Sequence, residues 1–92
     1  MIVRILGEGQ YRLPDADVPD LDALDDQLTA AVGRGDRARF ESEFAELVAY
    51  VRAHGEQVMA DHLAASQLVL PPADAGFDEV RMMLRDDGLV PG

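Results

Sequence analysis

Residues 1–13 alternate largely between apolar and polar side chains, with the period of about two that is typical of β-strands. The alternation covers residues 2–6 and 10–13, and residues 7–9 between them read Gly-Glu-Gly. Because glycine readily adopts the positive backbone angles of tight turns, this segment predicts two antiparallel strands joined by a three-residue loop. We therefore expect a β-hairpin at the start of the chain.

The expected turn fixes the register of this hairpin. If Leu6 faces Gln10, Arg4 lies directly opposite Arg12 on the neighbouring strand. One face of the hairpin is then apolar and consists of Val3, Ile5, Tyr11 and Leu13. The other face carries the two arginines side by side.

Two amphipathic helices are predicted after the hairpin. Pro14 ends the second strand because proline cannot donate a ladder hydrogen bond, and the first helix begins near Asp17 and ends at Gly33. The second helix begins at Asp36 and ends at about His54, so a short connection forces the two helices to pack antiparallel. Their apolar positions recur at helical spacing: Leu21, Leu24, Leu28, Ala31 and Val32, then Phe40, Phe44, Leu47, Val48 and Val51.

The remainder of the chain predicts one more strand and one more helix. Residues 56–66 contain apolar side chains but no long hydrophobic period, so they are expected to form a connector with one short helical turn. Residues 67–70 are largely apolar and are followed by Pro71, which is typical of a short strand. Gly76 is expected to precede a last helix that Gly88 terminates, and its buried stripe is Val80, Met83 and Leu84.

Together these elements predict an α+β fold. The hairpin and the later strand form a small sheet, which packs against the helical hairpin and the short C-terminal helix. A chain of 92 residues can bury one small core, so we expect residues 1–92 to form a single domain.

The composition narrows the classes of function. The chain has 18 acidic and 8 basic residues and a formal net charge of −10, which repels nucleic acid and anionic lipid headgroups. It has no cysteine, so disulfides and zinc–thiolate sites are excluded. Its apolar runs are too short to insert directly into a membrane, and none resembles a secretory signal. We therefore expect a cytoplasmic protein that binds no nucleic acid.

The candidates for catalysis are few. His54 and His62 lie on separate predicted segments, and each is better explained as an exposed polar group than as half of a site. Ser42 and Ser66 lack the glycine-flanked turn of hydrolase nucleophiles. We therefore predict a non-enzymatic protein without catalytic or cofactor-binding residues.

An acidic segment invites a calcium-loop interpretation. Asp15, Asp17 and Asp26 match the first, third and twelfth positions of an EF-hand loop. The match fails at the fifth and sixth positions, because Pro19 replaces a ligand and Asp20 replaces the required glycine. The helix dipole explains acidic residues at a helix start, so no metal site is predicted.

The most informative feature is the pair of arginines on the hairpin. Like charges directly opposed across two strands are destabilising unless an anion lies between them. That anion is either internal, supplied by Glu8 or by residues 15–26, or it belongs to a partner protein whose carboxylates bind the planar guanidinium groups. The predicted partner-binding residues are Arg4, Tyr11 and Arg12.

Three segments of the chain resemble a known family. They are residues 1–15 (MIVRILGEGQYRLPD), residues 66–74 (SQLVLPPAD) and residues 88–92 (GLVPG). Together they are similar to the small PspA-associated proteins of actinobacterial type, the PspAA family, and the likeness covers essentially the whole chain. The resemblance implies a cytoplasmic accessory of a PspA-type protein, the coiled-coil membrane-remodelling component of the phage-shock or envelope-stress response. It implies no reaction, no cofactor and no assigned site residue.

Two functional hypotheses follow. The first is a non-enzymatic accessory protein that binds a PspA-type protein, modulates its assembly or activity, and is recruited through it to the inner face of the membrane. The second is a self-associating structural module, a homodimer formed through the open edge of the sheet. The mass of the protein in solution discriminates between the two hypotheses.

Overall fold

The structure, a computed structural model, describes residues 1–59, 65–84 and 88–89. Its strands in this part of the chain are β1 (Ile2–Ile5), β2 (Gly9–Arg12), β3 (Glu56–Gln57) and β4 (Leu68–Leu70). Its helices are α1 (Val18–Gly33), α2 (Arg37–His54) and α3 (Phe77–Met83), and a 3-10 turn at Asp15–Asp17 precedes α1. The predicted α+β fold is confirmed, with an N-terminal hairpin, a helical hairpin and a short C-terminal helix.

The strands form one mixed sheet in the order β3-β2-β1-β4. Strand β2 is antiparallel to both β1 and β3, whereas β4 runs parallel to β1. Strand β1 therefore lies between β2, its partner in the hairpin, and β4, which follows the helical hairpin in sequence. This arrangement brings residues 2–5 next to residues 68–70, which are distant in sequence.

The core lies between one face of the sheet and the helices. Val3, Ile5 and Leu70 on the sheet are fully buried, as are Leu28 and Leu47 on α1 and α2. The apolar face predicted for α2 is confirmed, because all five of its residues are buried. Burial of these side chains against each other is the main favourable term that holds the two layers together.

The connection between α1 and α2 folds the chain back sharply. Gly35 has a φ of 69°, which a residue with a side chain adopts only with strain. Asp36 then begins α2, and its Oδ1 accepts a hydrogen bond of 3.1 Å from the backbone N–H of Arg39. The predicted glycine stop and aspartate start are therefore both present in the helical hairpin.

The predicted hairpin register is wrong by two residues. The turn consists of residues 6–8 and is closed by a 2.9 Å bond from the N–H of Glu8 to the C=O of Ile5. Gly9, with a φ of 136°, belongs to β2 and pairs with Ile5. As a result Arg4 pairs with Gln10 and not with Arg12.

The connector expected at residues 56–66 needs correction at its start. Residues 56 and 57 are not part of a connector but form β3, because they pair with Arg12 and Tyr11 of β2. The N–H of Val58 extends this pairing with a 2.9 Å bond to the C=O of Gln10. The expected helical turn in the rest of that segment falls largely on residues 60–64, which lie outside the described residues.

Helix α3 is shorter than predicted. It ends at Met83, not near Gly88, because Leu84 leaves the helix with a ψ of 140°. Val80 is fully buried as expected, whereas the side chain of Met83 is exposed at 36% and is not part of a buried stripe. The expected stop at Gly88 is therefore not the C-terminus of this helix.

Candidate functional site

Arg4 and Arg12 lie on the face of the sheet that points away from the helical core. Alternation along the strands places them on this face with Ile2 and Gln10, because Val3 and its neighbours occupy the core face. They are diagonal neighbours, about 7–8 Å apart at the backbone, because their direct partners are Gln10 and Ile2. The prediction that the arginines share a face is confirmed, and the prediction that they oppose each other directly is wrong.

The two arginines have different neighbours in the sheet. Arg12 lies opposite Glu56 of β3, which makes a cross-strand pair of opposite charge. Arg4 lies between Gln10 of β2 and Val69 of β4, which are both uncharged. Among the described residues, no carboxylate oxygen comes within 4.0 Å of either guanidinium group.

Three of the acidic residues that were candidates to neutralise the arginines have other partners. The Glu8 carboxylate binds Arg52 of α2, and Asp15 lies 3.5 Å from the N-terminal ammonium of Met1. Asp20 accepts a hydrogen bond of 3.3 Å from the hydroxyl of Tyr50. In the part of the chain that the structure describes, no acidic side chain therefore neutralises Arg4 or Arg12 through a direct ion pair.

Tyr11 does not share the face of the arginines. Its side chain lies on the opposite side of β2, where its hydroxyl donates a hydrogen bond of 2.6 Å to Glu8 Oε2. Arg52 donates from Nε to the same oxygen at 2.9 Å and from a terminal nitrogen to Oε1. Tyr11 therefore lies on the opposite face of the sheet from Arg4 and Arg12, as the expected register also placed it.

These contacts explain the electrostatics of the hairpin turn. The hydrogen bonds from Arg52 and then from Tyr11 lower the pKa of Glu8 to about 2. The hydrogen bond to Glu8 raises the pKa of the Tyr11 hydroxyl, and the same carboxylate raises the pKa of Arg52. The contact of Glu8 with Arg52 and Tyr11 therefore fixes the hairpin turn to the C-terminal end of α2.

Part of the outer sheet face is covered. The side-chain amide of Gln10 is buried, with 2% of the residue exposed, and it donates a hydrogen bond of 2.8 Å to the hydroxyl of Ser66. The Gln67 side chain accepts a 2.7 Å bond from the N–H of Ile2. Ser66, in the segment that leads into β4, therefore contacts Gln10 on the outer face, and Gln67 extends β4 alongside Ile2.

A shallow groove lies beside Arg12. It has a volume of about 190 Å³ and is lined by Arg12, Glu56, Gln57, Val58 and Met59. Sites for small molecules typically enclose about 300–1,000 Å³ and are more strongly concave. The groove is therefore too small to serve as a typical ligand pocket.

His54 is the histidine that the structure describes, and it lies at the exposed end of α2. The ring of His54 stacks on that of Tyr50, with centroids 4.1 Å apart, at the end of α2. Burial, together with the charges of Asp17 and Asp20, raises the pKa of Tyr50 to about 12. His62 lies outside the described residues.

No group of three or more His, Cys, Asp or Glu side chains is arranged to hold a metal ion among the residues that the structure places. No helix in these residues is long and apolar enough to cross a membrane.

Sequence reasoning missed two buried carboxylates. Asp25 of α1 is fully buried and accepts a hydrogen bond of 3.0 Å from the N–H of Leu89. Glu43 of α2 is bound to Arg39 at 3.0 Å through one oxygen, while its other oxygen is buried without a hydrogen bond. Both positions fall within the apolar helical spacing, and this placement is the signal that could have identified them.

Gly88 approaches Asp25 so closely that a Cβ at this position would overlap the carboxylate. It also has a φ of 89°, in the region that favours glycine. Gly88 and Leu89 are therefore fixed against α1, and this contact is part of the packing.

Fold and site together define a small acidic α+β protein with two arginines on the outer face of its sheet and a hairpin turn anchored to a helix. The chain belongs to the family of PspA-associated proteins, PspAA, whose sequence model matches residues 1–92. The family predicted from the three sequence segments is thus confirmed over the whole chain. Comparisons with curated proteins and with solved structures gave no match.

Proposed function

We propose that this chain is a non-enzymatic accessory protein that binds a PspA-type protein of the envelope-stress response and modulates its assembly or activity. The observation that carries the proposal is the match of the PspA-associated family over residues 1–92. Within this proposal the protein acts in the cytoplasm and reaches the inner face of the membrane through its partner.

The outer sheet face supports the proposal as the binding surface. The chain has a net charge of −10, yet this face carries two arginines without a direct ion pair in the described residues. An acidic surface that approaches this face supplies the carboxylates that guanidinium groups bind well. Charged groups at such an interface mainly set partner choice and association rate.

The test is co-purification of the tagged chain with the PspA-type protein encoded in the same genome, at low salt. We expect the wild-type chain to retain the partner and the double variant Arg4→Glu, Arg12→Glu to lose most of it. The matched control is Arg34→Glu, Arg81→Glu, which changes the net charge equally at exposed positions of the helical layer.

Circular dichroism of each variant confirms that the fold is retained. If the wild-type chain retains no partner at low salt, the proposed function is wrong. If both double variants bind as the wild type does, the function stands and the sheet face is not the binding surface.

A further inference from the structure

We propose that the partner docks on one margin of the sheet face, at a patch formed by Leu6, Arg4 and Val69, and not on the two arginines jointly. We call these three residues the Arg4 patch. The occupant that fits it is a helical surface of the partner on which a carboxylate is flanked by aliphatic side chains. This inference rests on the proposed function and names the site and the partner chemistry within it.

The topology of the sheet creates the patch. Val69 of β4 pairs with Arg4 of β1, so their side chains emerge side by side on the same face, about 5 Å apart. Leu6 is the first residue of the turn that follows β1, and its N–H donates a 3.1 Å bond to the C=O of Leu70. This bond holds Leu6 at the end of the β1–β4 pair, two residues along the chain from Arg4.

Exposure distinguishes the two aliphatic residues of the patch from Ile2 and Gln10, the uncharged residues on the outer face of β1 and β2. Leu6 is exposed at 38% and Val69 at 39%, whereas Ile2 and Gln10 are buried. Arg4 is half-buried and is the strand partner of Val69. The patch thus combines a half-buried cation with apolar surface that is accessible to a partner.

Charge favours Arg4 over Arg12 as the centre of recognition. Arg12 has Glu56 as its cross-strand neighbour, whereas the cross-strand neighbours of Arg4 are Gln10 and Val69. A half-buried guanidinium beside apolar side chains also gains more from a carboxylate than an exposed one, because less water screens the pair. Contacts of this type, an arginine surrounded by apolar contacts that exclude water, often dominate binding energy.

The position of the patch indicates the form of the occupant. The side chains of Arg4 and Val69 project from the face of the sheet, so a partner that covers them makes contact through side chains. Helices are the elements that pack on sheet faces. On a helix, residues three or four apart are separated by about 5–6 Å, which matches a carboxylate flanked by aliphatic residues over a patch of this size.

The experiment compares two matched pairs of variants, with affinity for the purified PspA-type protein as the measurement. The first pair, Arg4→Glu and Val69→Asp, alters the Arg4 patch. The second pair, Arg12→Glu and Met59→Asp, makes the same chemical changes at the other margin, where Met59 is exposed at 68%. We expect each variant of the first pair to weaken binding about tenfold or more, and each of the second pair by less than about threefold.

Two milder variants and a rescue test extend the comparison. Val69→Thr keeps the shape of the side chain and removes its apolar character, and Leu6→Ser removes the second aliphatic group. Both should weaken binding while the urea midpoint stays close to that of the wild type. Among lysine substitutions at exposed acidic residues of the partner's helices, one should restore binding to Arg4→Glu.

The outcomes separate the inference from the function on which it rests. If the wild-type chain does not bind the partner, the proposed function fails and the inference fails with it. If the wild type binds and the Arg12 pair weakens binding as much as the Arg4 pair, only the inference is overturned. The same holds if no lysine substitution in the partner restores binding to Arg4→Glu, because the occupant then lacks the proposed carboxylate.

Discussion

At the scale of single residues, the ion pair between Glu8 and Arg52 is a direct polar contact between the sheet and the helices. It joins the hairpin turn to the last turn of α2 across 44 positions of sequence. Because the hydrogen bonds of Arg52 and Tyr11 hold the Glu8 pKa at about 2, against an ordinary value of 4.5, the ionised carboxylate favours the folded state. This contribution is complete above pH 4.5 and is lost as the pH falls toward 2.

We predict that Glu8→Gln lowers the urea midpoint at pH 7 and that this deficit shrinks at pH 3, because the wild-type carboxylate then begins to lose its advantage. The measurement is urea unfolding of both proteins at the two pH values, followed by circular dichroism. Glu41→Gln on the exposed face of α2 is the control for the loss of one negative charge. A deficit that grows on acidification would contradict the assigned role of Glu8.

At the scale of elements, helix caps are predictable from local sequence, and α1 and α2 allow a direct comparison. Both helices begin after an aspartate, but only Asp36 accepts a backbone hydrogen bond with its side chain, from Arg39. We predict that Asp36→Ala destabilises the protein by about 1 kcal/mol and that Asp17→Ala costs clearly less. Urea unfolding at pH 7 measures both, and equal losses would show that the Asp36 cap bond adds nothing.

Local patterns predicted most elements, and the errors described below concern the strands and how they pair. The spacing of Phe40, Phe44 and Leu47 gave α2 its correct face, because helical periodicity depends only on neighbours along the chain. The hairpin register depended on whether Gly9 joined the turn or the strand, and both fit the sequence. Strand β3 was missed because two exposed residues leave no hydrophobic alternation to detect.

In the candidate site, the face on which the arginines lie was predictable from neighbouring residues, but their partners on other strands were not. Alternation along β1 and β2 was enough to place Arg4 and Arg12 on one face. The neighbours that distinguish them, Val69 and Glu56, come from strands that return after the helical hairpin. No local pattern specifies which residue of a later strand pairs with Arg4, so the Arg4 patch could be recognised only in the folded chain.

At the scale of the whole molecule, charge and sheet geometry oppose the alternative of a homodimer through the β3 edge. Strand β3 has only two residues, both exposed, and one of them is the charged Glu56. Short and charged edge strands are poor templates for pairing with a second chain. Two copies would also bring together two bodies with a net charge of −10 each.

We therefore predict that the isolated chain is a monomer at pH 7.5 and moderate salt, and that light scattering behind size exclusion gives the mass of one chain. Raising the salt screens the mutual repulsion, so a mass that stays at one chain in high salt shows that β3 is itself a poor pairing edge.

The opposite outcome is a mass of two chains for the wild type and of one chain for the variant Gln57→Pro. That outcome would favour the self-associating module, because proline removes a ladder donor from β3. A dimer unaffected by that substitution would place the contact on another surface and would leave β3 as an unpaired edge.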